Sequence, residues 1–258
     1  NQKVLLDSRK MIGGKIVVKL NLIITAITPG IALALIFYWF DRHDREPIGM
    51  LLKVFIFGAV YVFPTILIEN FLLLFNIFGG VLGAAYTAFI VAGLTEEYMK
   101  RKVVLKYVYF NPVFNEKLDG IVYCVMSALG FATLENIMYV VFTFSDVEAV
   151  GYYRAIISVP AHMLFAVTMG YYLSLAKFSS TPEEHRHYFK KSLSVPAMMH
   201  GIFDFILMAN IPLLMVFFIP FVIYLWVVNL KKLNVYYNDS KYYANNDNEF
   251  SDRNNDFN

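Results

Sequence analysis

Seven predominantly apolar stretches, most of them near twenty residues or longer, dominate the chain: Leu22–Phe40, Leu51–Phe75, Val81 to about Met99, Gly120–Phe144, Ala155–Ala176, Ser192–Asn210 and Ile211–Asn229. A helix rises about 1.5 Å per residue and the hydrocarbon slab is about 30 Å thick, so roughly 20 residues are needed to cross it. No alternating pattern of a membrane β-barrel is present, so the spans read as helices. Composition agrees, with 58% of the 258 residues hydrophobic and only 16% charged, against about 25% charged in soluble domains. An ordinary soluble globule and a disordered chain are both excluded. The expectation is an all-α, polytopic membrane helical bundle of about seven transmembrane helices, with the lipid bilayer as its surroundings. Its membrane domain covers residues 22–232, after an N-terminal segment at 1–21. A tail at 233–258, rich in Asn, Asp and Tyr, is expected to be disordered. Met11 reads as a candidate native start. Pro29, Pro64, Pro160, Pro196, Pro212 and Pro220 predict kinks. The single cysteine, Cys124, excludes a disulfide framework, and the net charge of +2 makes no case for a nucleic-acid partner.

The third span is short. Val81–Leu94 holds 14 residues, or about 21 Å of helix, so the crossing must continue through Thr95, Glu96, Glu97, Tyr98 and Met99. Two adjacent carboxylates are thereby drawn to the lip of the apolar slab or into it. Lys and Arg divide unevenly between the loops. Six fall on the side of the N-terminus, residues 76–80, 211–212 and Arg154, and fourteen on the side of residues 42–53, 100–117, 177–191 and 231–232. The second side is expected to be cytoplasmic.

Ionisable residues inside spans cost about 2.5–3.5 kcal/mol each on insertion scales, so each points to function. They are Glu69, Glu96, Glu97, Glu135, His162, His200 and Asp204. Histidines and carboxylates without a lysine near the centre form a metal-ligand and proton-transfer inventory. Glu96 and Lys100 stand at i,i+4, and so do His200 and Asp204, which lets each pair serve one point in space. Counted from the cytoplasmic side, Glu96 lies about 8 Å deep and Glu135 about 22 Å. A kink or a displaced helix start is needed to bring them together. Glu69–Asn70 reads as an interfacial or packing pair, Lys100-Arg101-Lys102 as a cytoplasmic stop signal, and Asp41–Glu46 as a polar turn ahead of Pro47.

Several motifs occur in a fixed order: DRHDREP at 41–47, Glu96-Glu97-Tyr98-Met99-Lys100 (EExxK), Asp119-Gly120-Ile121-Val122-Tyr123, and Phe131 to Glu135-Asn136 (FxxxEN). Arg154, Pro160-x-His162 and His200-Gly201-Ile202-Phe203-Asp204 (HGxxD) complete the set. In that order the chain, over about residues 22–232, resembles the PrsW family of bacterial intramembrane proteases. That family belongs to a wider clan of CAAX-processing and Abi-type membrane proteases. The resemblance implies a multi-pass protein of the bacterial cytoplasmic membrane. Its implied activity is the first cleavage of a single-pass anti-sigma factor, in a stress response. It also implies that Glu96, Glu97 and His200 are catalytic. The clan's other members carry His where this chain has Glu135, so ligand identities do not transfer directly.

On this reading Glu96 removes a proton from the attacking water. His162, His200 and Glu135 hold a Zn²⁺, while Asp204, Lys100 and Asn136 orient the centre. A metal-free variant keeps Glu96 as the base, assisted by Glu135, with His200 and Asp204 stabilising the oxyanion. A cation- or proton-coupled transporter is the rival from another class, and a non-catalytic scaffold of the same clan is a further one. No HExxH, GxGD or GxSx segment supports other intramembrane protease chemistries.

Overall fold

The computed structural model describes residues 2–143 and 152–255, and every regular element among them is helical. Helix α1 (Gln2–Phe40) carries the N-terminal segment into the first span without a break. The second span is α2 (Ile48–Val60) followed by α3 (Val62–Leu73), parted at Tyr61. Pro64 sits just beyond that break, where it has no N–H to give to the preceding turn.

The third span is composite: α4 (Gly80–Tyr86), a π-helical stretch at Thr87–Leu94, and α5 (Thr95–Tyr107). The expected continuation through Glu96 and Glu97 is therefore present. Helix α6 (Lys117–Ile137) runs into π-helical Met138–Thr143. A third π-helical stretch, Arg154–Ser158, leads into α7 (Val159–Lys177). Helix α8 (Pro182–Met208) returns, and α9 (Pro212–Asn255) ends the described chain. Asn210 (φ 52°) makes the turn between them, a left-handed position that Asn tolerates.

Among the described residues, five helices are long and apolar enough to cross a membrane: Leu20–Phe40, Ile48–Leu73, Lys117–Val140, Arg154–Lys177 and Pro212–Tyr242. The other two expected spans, Gly80–Tyr107 and Pro182–Met208, have the length but carry Glu96, Glu97 and Lys100, and His200 and Asp204, respectively. The protein is a multi-pass membrane protein of the all-α class.

Helices α6 and α7 form the centre. They cross at Gly120 and Gly170, where a Cβ on Gly170 would stand 2.2 Å from the Gly120 carbonyl oxygen. Backbone contact of this kind drives association in lipid, where no hydrophobic effect separates one helix from another. Around this centre, α1, α2, α3 and α9 turn Leu35, Leu52, Phe63, Leu67, Phe71 and Phe217 outward. An apolar surface of that extent suits lipid and not water.

The polar tail differs from its sequence reading, since α9 remains helical to Asn255. Leu225, Asn229, Leu233, Tyr236 and Ser240 are buried along one stripe. Tyr236 stacks on Tyr171 with centroids 5.0 Å apart and donates to the Tyr171 carbonyl at 3.2 Å. As far as Ser240, aromatic packing supplies order that scarce aliphatic residues could not.

Candidate active site

Three π-helical stretches border the site, each next to a polar residue of interest. Thr87–Leu94 precedes Glu96, Met138–Thr143 follows Glu135, and Arg154–Ser158 precedes His162. A π-helix inserts an extra residue into the turn and re-aims the side chains beyond it, and such bulges concentrate at functional sites. They supply the local distortion that Glu96 and Glu135 need in order to meet.

The meeting point is Lys100. Its Nζ is fully buried and donates to Glu96 Oε2 (3.0 Å), to Glu97 Oε1 (2.7 Å) and to His162 Nδ1 (2.8 Å). It also lies 4.6 Å from the centre of the Phe131 ring. All three ammonium protons are thus used. This overturns two sequence readings: a lysine does stand at the centre, and Lys100 is no cytoplasmic stop signal. Arg101 is buried as well, against the Phe189 ring at 4.1 Å, and only Lys102 of that trio is exposed.

Because His162 Nδ1 accepts from Lys100, its proton belongs on Nε2, which faces Glu135 Oε2 at 3.0 Å. Glu135 is in turn held by Arg154, 3.1 Å from its Oε1. Arg154 Nε donates to Asn136 Oδ1 (3.0 Å), and Asn136 Nδ2 donates to the Ala26 carbonyl on α1 (3.0 Å). On the opposite side, His200 Nδ1 lies 3.0 Å from Glu97 Oε1 and its Nε2 lies 3.4 Å from Asp204 Oδ2. The His200 ring stacks on Phe165 (5.0 Å) and stands edge-on to His162 (5.2 Å). Glu96, Glu97, Lys100, Glu135, Asn136, His162, His200 and Asp204 therefore form one connected network.

Close crossing of two helices makes this possible. A Cβ at Gly93 would meet the Ala197 carbonyl oxygen at 2.9 Å and the Gly201 nitrogen at 3.0 Å, and one at Gly201 would meet the Phe89 ring at 2.3 Å. The helix bearing the glutamates and the helix bearing His200 touch at backbone distance.

A cavity of about 540 Å³ opens from the network. Glu96, His162, His200, Asp204 and Glu135 lie on its wall and Glu97 does not. Arg154, part of the motif set, and Glu69, one of the in-span ionisable residues, also line it. Glu69 and Asn70, expected as an interfacial or packing pair, thus border the cavity near the end of α3. The cavity continues past Asn70, Leu73, Tyr139, Leu207 and Met208, the helix ends opposite the Lys- and Arg-rich loops.

This donor set could hold a metal ion once Lys100 withdraws from Glu96 Oε2 and His162 Nδ1, which its ammonium occupies here. One ligand atom each from Glu96, His162 and His200 falls within 4.8 Å of the others, and all three residues are buried. Two imidazoles and a carboxylate are a catalytic zinc set. Each imidazole also has a carboxylate on its far side, the arrangement that orients histidine ligands. Glu135, expected as a ligand, is instead engaged by Arg154 and His162.

The profile of the family described as PrsW family intramembrane metalloprotease matches residues 46–228. Protease PrsW of Clostridioides difficile (strain 630) is 43% identical over 230 residues, covering 86% of this chain and 94% of the relative. Protease PrsW of Bacillus subtilis (strain 168) is 39% identical over 211 residues, covering 82% and 93%. That of Geobacillus kaustophilus (strain HTA426) is 40% identical over 190 residues, covering 74% and 81%. No solved structure matches.

Proposed function

The chain belongs to the PrsW family of intramembrane proteases, and from that premise we propose that Glu96 activates the water that cleaves its membrane-embedded substrate. The observation that carries this reading is the unequal placement of the glutamate pair. Glu96 lies on the cavity wall, while Glu97 is sealed between Lys100 and His200. Family membership removes the transporter reading.

The roles follow from reach. Glu96 takes a proton from a water in the cavity and returns it to the leaving amine. Lys100 holds Glu96 through Oε2 and so fixes the carboxylate's orientation. Glu97 is a positioning residue that ties Lys100 to His200. His200, held from behind through Nδ1 by Glu97 and lying on the cavity wall, turns its Nε2–H from Asp204 to the carbonyl oxygen as negative charge develops there. Arg154 and Glu135 hold His162 in its tautomer. His162 and His200 would hold a Zn²⁺ beside Glu96, and when bound the ion would supply a Lewis acid and lower the pKa of a water. Lys100 already brings positive charge to the same carboxylates, which favours the metal-free variant as the second reading.

The substrate we assign is a single-pass anti-sigma factor of the bacterial cytoplasmic membrane. Its scissile bond enters from the face opposite the basic loops, where the cavity leads. Co-expression with such a factor tests both parts. Glu96→Gln is expected to lower cleavage at least about 100-fold with an unchanged melting profile, and retained cleavage refutes the base assignment. Stoichiometric zinc in active wild type, lost in His162→Ala and His200→Ala, supports the metal reading. Full activity without zinc selects the metal-free one.

A further inference from the structure

The DRHDREP and Asp119-Gly120 motifs take no part in the active site, and they meet each other elsewhere. Asp41 and Glu46 come from the segment between α1 and α2, Glu116 from the residue before α6, and Asp119 from the first turn of α6. One oxygen each from Asp41, Glu116 and Asp119 lies within 4.8 Å of the others. Asp119 stands 16 residues before Glu135 on the same helix, about 24 Å away, so this cluster is separate from the protease centre.

Asp41 and Asp119 are each anchored to backbone N–H groups through one oxygen, while Glu46 and Glu116 interact with Asp119 and Ser240 respectively. Asp41 Oδ2 accepts from the Glu46 N–H (2.8 Å), and Asp119 Oδ2 accepts from the N–H groups of Asn115 (2.8 Å) and Glu116 (2.7 Å). Glu46 Oε2 accepts from the Tyr123 hydroxyl. Asp41 Oδ1, Glu116 Oε1 and Asp119 Oδ1 are buried with no hydrogen-bond partner, and Asp41 and Asp119 are themselves fully buried. A buried acceptor without a donor is costly, and a buried charge without a counter-charge costs far more.

Among the described residues no Lys, Arg or His forms an ion pair with Asp41, Glu46, Glu116 or Asp119; Lys177 feels the charge of Asp119 without pairing with it, and Lys117 pairs instead with Asp239 at 3.5 Å, half-exposed at the rim. We infer that Asp41, Glu116 and Asp119, with Glu46 beside them, form a binding site for a hard divalent cation of the Ca²⁺ or Mg²⁺ class. Oxygen-only donors select such cations over zinc or copper. Two ligands of one Ca²⁺ at about 2.4 Å each stand at most about 4.8 Å apart, and the three oxygens fall within that limit.

Without an ion, burial and the neighbouring carboxylates hold Asp41 up at about 8, and Glu116 up at about 7. Shared protons are therefore the competing way to relieve the repulsion. With an ion, the site joins the end of α1, the approach to α6 and α6 itself at the face bearing the basic loops.

The experiment uses the full chain in detergent with Tb³⁺ as the probe, whose emission the adjacent Tyr123 sensitises. Wild type and Glu96→Gln are expected to show one saturable site, displaced by Ca²⁺ or Mg²⁺. Glu116→Gln, a change at a partly exposed position outside the helix, is expected to weaken binding about tenfold or more. Asp119→Asn is expected to abolish it and to remove the rise in Tm that added Ca²⁺ or Mg²⁺ gives wild type. Absence of a saturable site overturns the inference. So does a site lost in Glu96→Gln but kept in Glu116→Gln, which puts the ion at the protease centre. A wild-type Tm indifferent to both ions overturns it as well, and leaves the cluster held by protons.

Discussion

Lys100 is the residue on which the others depend. Its ammonium neutralises Glu96 and Glu97 and sets the tautomer of His162. Removing one partner of a fully buried ion pair leaves the other charge uncompensated, at a cost of about 3–5 kcal/mol. Lys100→Met is therefore expected to lower Tm in detergent by many degrees. Glu97→Gln in the same chain should recover part of that loss, because the two changes share one interaction. Additive losses would show that the pair is not coupled. The spacing of EExxK made the Lys100 contacts with both glutamates legible in advance. Its contact with His162 was not, since it joins residues 62 positions apart, and a lysine opening a basic run reads first as a topological signal. Arg154 escaped for the same reason: a basic residue near a span end looks like a loop charge until Glu135 is seen 3.1 Å away.

Of the two helices richest in site charges, one is interrupted by a π-helical stretch and the other, Pro182–Met208, is continuous. The third and sixth spans bear the charges of the site, so polarity itself hides them from a hydropathy test that five other helices pass. The shortness of Val81–Leu94 did announce that Glu96 and Glu97 belong to the crossing. The π-helical stretches left no such mark, because apolar periodicity carries no information on hydrogen-bond register. Packing at element scale rests on Gly93 and Gly201, and their surroundings differ. At Gly201 an added methyl group meets the Phe89 ring, which can be shortened; at Gly93 it meets backbone on both sides. Overpacking costs about 1–3 kcal/mol. Gly201→Ala is expected to reduce cleavage and Tm, with Phe89→Leu restoring much of both. Gly93→Ala should be the more damaging change, and Phe89→Leu should not rescue it. Equal rescue of both would show that the backbone crossing does not set the distance from Glu97 to His200.

Across the whole molecule the two ends are chemically distinct. One end holds the basic loops and the Asp41–Asp119 cluster, and the other holds the mouth of the cavity, rimmed by Asn70, Tyr139, Leu207 and Met208. We assign the first end to the cytoplasm from its excess of Lys and Arg. On that assignment the mouth faces outward even though Glu96 lies on the inner side of it. Span lengths drew Glu96 into the third helix but gave no direction of access, which depends on how α3, α6, α7 and α8 splay. Thiol labelling distinguishes the two ends. Cys124 is fully buried, so the native chain is a silent background for a membrane-impermeant maleimide. Met208→Cys, at a position 45% exposed on the cavity rim, should react in intact cells. Glu183→Cys, in the first turn of α8 at the opposite end, should react only after the membrane is opened. The adduct at position 208 should also block cleavage by filling the path to Glu96, while the adduct at 183 should leave it intact. The reverse labelling pattern would invert the topology and move substrate entry to the cytoplasmic face.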